Sequence, residues 1–183
     1  MKKEIKIKIL SKQYELSKVL MDKLFASMEE EEFLDEAEGE ETEEKQEDDV
    51  LELYADGFLT EENGCVEITY EESELTGMEG AKTKISFEKN NSGLVSMMRG
   101  GSVTTAMVFE EGRRHICVYE TPIMPFELCI HTLKVKNHLL ENGTLYLDYI
   151  VEFKGAQAER TKFTFTIDEK TPSAPPFDEY DHM

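Results

Sequence analysis

Apolar residues recur mostly at every second position. Ile5, Ile7 and Ile9 alternate with Lys6 and Lys8, the period of a strand with one buried face. The spacing then changes: Leu16, Val19, Leu20, Lys23 and Leu24 fall at helical intervals and predict a short amphipathic helix over 15–27. From Val50 the two-residue period returns. It predicts strands at 50–59, 64–72, 82–89, 94–99, 102–110, 113–120, 125–134, 143–153 and 160–168. Leu145, Leu147, Tyr149, Val151 and Phe153 share one face, opposite Tyr146, Asp148, Ile150 and Glu152. Phe163, Phe165 and Ile167 do the same in the last strand.

The separators carry turn chemistry. Asn63-Gly64 and Asn142-Gly143 tolerate the positive φ of a hairpin turn. Asn91-Ser92-Gly93, Gly100-Gly101-Ser102 and Glu110-Glu111-Gly112 act similarly. The expected fold is all-β: a single antiparallel up-and-down barrel of about ten strands, with one apolar face per strand turned to a shared core. A short helix and an acidic insertion, together 15–49, interrupt it after the first strand. The barrel domain spans 1–168, and the proline-rich, acidic stretch 169–183 reads as a disordered tail.

Charge sharpens this picture. The chain has 183 residues, with 40 Asp plus Glu against 20 Lys plus Arg, a net charge of −20. Residues 28–49 hold fourteen of the acids and one Lys. Such a block cannot bury enough apolar surface to offset its ordering entropy, so a solvated insertion is expected. Its other role is as a docking arm for a basic protein partner. Acidity on this scale argues against a nucleic-acid surface. No apolar run approaches the roughly 18 residues of a membrane span. The N-terminus lacks a signal-peptide core, so a cytoplasmic location is expected. Three cysteines, Cys65, Cys117 and Cys129, form no CxxC pair and read as free thiols, Cys117 and Cys129 facing each other on neighbouring strands.

Candidate chemistry is sparse. Continuing the alternation Val66, Ile68, Tyr70 turns Glu72 inward and Glu71 outward. An inward carboxylate needs a partner, and Arg99, on the face of Val95 and Met97, is the candidate. Arg99 either greets the acidic head of a small ligand at the barrel mouth, helped by Tyr119, or closes one end of the barrel by pairing with Glu72. The candidate binding set is Arg99, Glu72, Tyr70, Tyr119 and Tyr149. A transition-metal cluster of His115, Cys117, Cys129 and His131 is conceivable from ligand softness, but neither pair has the turn of a metal knuckle. No metal, no cofactor and no catalytic constellation is expected.

Several spaced motifs carry a family resemblance. They are Tyr70–Gly80 (YEESELTGMEG) with Thr83 and Ile85, Met98-Arg99-Gly100, Phe109 to Gly112, Tyr119-Glu120-Thr121-Pro122, Thr132, and Gly143-Thr144-Leu145 to Asp148-Tyr149. Over roughly residues 3–168, insertion aside, the chain resembles the YwiB-like family of uncharacterised bacterial calycin-type β-barrels. The resemblance implies a lipocalin-like barrel in the bacterial cytosol, and no established activity or ligand. One departure is Met124-Pro125, where the family usually has Gly two residues after the Pro. The function expected is a non-enzymatic module that binds a small anionic or amphipathic molecule. The alternative is a protein-interaction module using the barrel surface or the acidic insertion.

Overall fold

The computed structural model describes residues 1–17, 26, 49–153 and 158–169. They form ten strands: β1 (Lys2–Leu16), β2 (Asp49–Glu62), β3 (Cys65–Glu71), β4 (Lys82–Glu88), β5 (Asn91–Gly100), β6 (Thr104–Glu110), β7 (Arg114–Glu120), β8 (Pro125–His138), β9 (Thr144–Phe153) and β10 (Ala158–Glu169). Each pairs antiparallel with its neighbours in sequence, and β1 also pairs with β10, closing an up-and-down barrel. Closure gives every strand two neighbours, although the β2–β3 and β6–β7 ladders are partial.

β1 shows why the closure is specific. Ile5, Ile7 and Ile9 are buried, while Lys6 and Lys8 are exposed. Ile9 stands opposite Leu53 of β2 and Phe165 of β10, so a slip of one residue would turn the isoleucines to water. Gly57 permits the tight seam where β1, β2 and β3 meet. A Cβ there would lie 2.6 Å from both the Ile7 Cδ1 and the Thr69 carbonyl oxygen.

The two ends of the barrel differ. At one end, Asn63 and Gly64 form the β2–β3 hairpin with φ of 51° and 80°, as a type I′ turn requires. The second Asn-Gly pair behaves otherwise. The β8–β9 connection spans 139–143, and the His138 carbonyl accepts N–H bonds from Glu141, Asn142 and Gly143. Gly143 alone of the pair takes a positive φ, 76°. Above these turns the interior is apolar. Phe109 meets Tyr149 at 4.8 Å between ring centroids, and Tyr70 meets Phe165 at 5.9 Å. These pairs join strands that are not neighbours, so side chains fill the lumen at this level.

Three expectations change. β1 runs on to Leu16, so the first residues of the expected 15–27 helix are strand; Ala26 is helical, and the rest of that helix, like the acidic block, lies outside the described residues except for Asp49, which opens β2. The strand persists because Ser11 and Leu16 continue pairing along β10. Cys117 and Cys129 do not face each other: Cys117 pairs with Leu128 and Cys129 with Ile116, an offset of one that puts the thiols on opposite faces of the sheet. All three cysteines are free. At the family departure, Thr121 organises the turn. Its hydroxyl oxygen accepts the N–H groups of Ile123 and Met124, and its O–H donates to the Met124 carbonyl at 2.9 Å. Pro125 then opens β8, a position at which a strand tolerates its missing N–H. Among the described residues no helix is long and apolar enough to cross a membrane.

Candidate functional site

The other end of the barrel is polar inside. Consecutive ladders align Tyr70 with Thr83, Thr83 with Arg99, Arg99 with Thr105, and Thr105 with Tyr119. Five strands, β3 to β7, thus contribute one residue each to a continuous inward belt. A parallel row runs from Thr132 through Tyr149 to Thr161. The alternation that buries Ile68, Ile85, Met97 and Met107 one layer deeper dictates this belt.

Glu72 sits just above it. The residue is 6% exposed, and Glu71 beside it faces solvent. The Glu72 N–H donates to the Ala81 carbonyl at 2.8 Å, fixing the base of the β3–β4 connection. Its Oε1 accepts the Thr83 hydroxyl and, at 3.4 Å, the Arg99 Nε. The Arg99 side chain is 15% exposed and the Glu72 side chain 2%. The geometry therefore joins Arg99 to Glu72 inside the barrel, with Tyr70 close enough to feel the same charge. Burial, reinforced by the Glu72 charge, pushes the Tyr70 phenol well above its ordinary pKa, against the opposing pull of Arg99. Burial likewise raises Tyr149, with Arg99 and a hydrogen bond to Thr161 opposing. Arg99 thus lies within electrostatic reach of Glu72, Tyr70 and Tyr149. Tyr119, the fifth candidate, directs its hydroxyl to the Met78 sulfur at 3.8 Å, which ties the belt to the β3–β4 connection.

A cleft of about 300 Å³, half open to solvent and bordered by the exposed Tyr54 and Glu71, adjoins this cluster. The β2–β3 ladder stops at the Gly57–Tyr70 pair, so the earlier half of β2 has β1 alone as a ladder partner and the wall parts there. Ile9, Leu53 and Ala55 supply an apolar wall, while Tyr70, Glu72 and Asp56 supply a polar one. No cationic side chain among the described residues lines it.

Sequence reasoning placed Glu72, Arg99, Tyr70 and Tyr149 in the interior but missed Thr83, Thr105 and Thr161. Their signal was threonine continuing the apolar face two residues before Ile85, Met107 and Phe163. It assigned no role to Asp148, on the outer face of β9. Asp148 is buried there, and Arg160 of β10 grips it through two bonds of 2.9 and 2.7 Å. That pair raises the Arg160 pKa. The four-residue metal cluster does not assemble, because Cys117 and His115 share the opposite face of the sheet from Cys129 and His131.

These features define a class: an antiparallel barrel with an apolar floor and a hydrogen-bonded polar belt beneath one mouth. Residues 36–165 match the family described as Domain of unknown function (DUF1934), and the chain belongs to that family. It is similar to the crystal structure of ywiB protein from Bacillus subtilis, with 16% identity, a TM-score of 0.59, and coverage of 93% of this chain and 94% of that one. At that identity the likeness shows the shared fold. The YwiB-like resemblance carried by the Tyr70–Gly80 segment and its companion motifs is thereby confirmed. No curated protein matches the chain.

Proposed function

We propose that the protein is a non-enzymatic, cytoplasmic, lipocalin-like binding module that holds one small amphipathic molecule in the cavity between β1, β2 and β3. The observation that carries this reading is the cavity itself, apolar along Ile9, Leu53 and Ala55 and polar at Tyr70 and Glu72. Arg99, the residue that pointed to an anionic ligand, already has its charge answered by Glu72, and the polar wall is acidic. The head group favoured is therefore a hydrogen-bond donor or a cation. An apolar arm of about six methylenes contributes about 5 kcal/mol on burial. A hydrogen bond to Glu72, whose charge Arg99 already answers, adds about 1 kcal/mol. Association costs are subtracted from both gains.

Titration with fluorescent amphipathic probes of matched tail and opposite head charge tests the reading. One cationic probe should bind per chain, and Ala55→Trp, which fills the cavity, should abolish binding. Equal binding to both proteins removes the cavity from the reading. Preference for the anionic probe would restore Arg99 as the anchor.

A second reading, a protein-interaction module, rests on the barrel surface. Ile116 is 67% exposed, Val118 50% and Ile123 91%. Patches of this kind mark interaction sites. The acidic residues 28–49 would serve a basic partner in the same reading.

A further inference from the structure

We propose that the outer face of the barrel carries a site for a borderline-soft divalent metal ion such as zinc, formed by Cys129 and His131 of β8 and Glu152 of β9. Residues two apart on a strand project to the same side. Leu128, Ile130 and Thr132 take the inner face of β8, so Cys129 and His131 stand together on the outer one. The β8–β9 register then sets Glu152 directly opposite Cys129. A strand pair and one cross-strand neighbour converge without the turn that a metal knuckle uses.

The ligand atoms all lie within 4.8 Å of one another, and His131 Nε2 is 3.0 Å from Glu152 Oε2. Zinc bonds of about 2.3 Å to sulfur and about 2.0–2.1 Å to nitrogen and oxygen set tetrahedral ligand atoms about 3.3–3.6 Å apart. Small rotamer changes reach that spacing. Cys129 and His131 are each 8% exposed, so the donors are shielded from bulk water. Thiolate, imidazole and carboxylate together suit zinc or cobalt better than calcium or magnesium. Three protein ligands leave a fourth position to solvent.

Arg114 of β7 is the second observation. It pairs with His131 across the ladder. Its Nε donates to Cys129 Sγ at 2.8 Å, and its Nη2 lies 3.8 Å from Glu152 Oε2. A guanidinium thus holds the position of positive charge that the ion would take. The Arg114 side chain is 61% exposed, so it can swing into solvent when an ion enters. Arg114 and the metal are competitors for the same two donors.

Cobalt(II) titration of the reduced full-length chain tests this. One equivalent should give a thiolate-to-cobalt charge-transfer band that zinc removes. Weak binding by the acidic residues 28–49 gives no such band. Cys129→Ser should lose it. His131→Ala and Glu152→Gln should weaken binding by more than the roughly 10–100-fold that loss of an outer partner costs. Arg114→Ala should keep the band and bind several-fold tighter. Absence of a band, a band indifferent to His131→Ala, or one lost instead in Cys117→Ser or Cys65→Ser overturns the assignment. Because His131→Ala leaves the thiol in place, the test survives a Cys129→Ser variant that folds poorly.

Discussion

Arg99 and Glu72 face each other where neither charge is tolerable alone. Removing Arg99 leaves a carboxylate 2% exposed with the Thr83 hydroxyl as its remaining hydrogen-bond donor among the described side chains. Breaking such a pair costs about 3 kcal/mol. Arg99→Ala should therefore lower the unfolding free energy by that amount, read from the shift in denaturant midpoint times the m-value, and a paired apolar replacement, Arg99→Met with Glu72→Leu, should recover most of it. If Arg99→Ala is neutral, the carboxylate has another neutralising partner and the pair is not what holds this end. The tyrosines give a pH signature. Burial raises Tyr70 and Tyr149 above the ordinary phenol value. Their contribution is complete below about pH 10, where an unfolded tyrosine titrates. Above it the unfolded chain sheds protons that the folded chain keeps, so stability falls by about 1.4 kcal/mol per pH unit for each group until the folded values are reached. Denaturant unfolding at increasing alkaline pH should show this slope, and Tyr70→Phe should remove one group's share. At this scale the sequence was legible where alternation alone decided orientation, as for Glu72 and Arg99. Thr83 and Thr105 escaped because a β-branched hydroxyl fits either face of a strand.

Strands and turns were the more readable level. The inward face of β1, the Asn63-Gly64 turn and the long run of hairpins follow from period and turn residues. The extension of β1 to Leu16 did not, because the helical spacing after residue 15 competed with a ladder that only β10 could supply. Gly57 was equally silent: its importance lies in three strands converging, which no local pattern encodes. Gly57→Ala should destabilise the barrel by about 1–3 kcal/mol through the clash with Ile7 and the Thr69 carbonyl. Urea unfolding measures it, and a neutral result would mean that the seam can widen. Deleting 28–48 removes none of the described ladder residues, since β1 is Lys2–Leu16 and β2 begins at Asp49. The melting temperature should stay within a few degrees. If the acidic segment serves a basic partner, the same deletion should abolish a salt-sensitive complex; a complex indifferent to deletion and salt excludes the arm.

At the scale of the whole molecule, ten strands close around a packed apolar interior, and the space left among the described residues lies at the wall. The aromatic pairs plug the floor, and the parted seam between β2 and β3 leaves about 300 Å³ beside Glu72. Closure was legible from the hairpin count and uniform one-sided burial. The cavity was not, because it depends on where one ladder ends. Native mass spectrometry of the freshly purified protein, beside an Ala55→Trp variant with matching circular dichroism, tests the central claim most directly. The expected result is one small-molecule adduct per chain that the variant lacks. Bare-chain mass for the native protein, or the same adduct on both, would contradict a ligand held in the barrel.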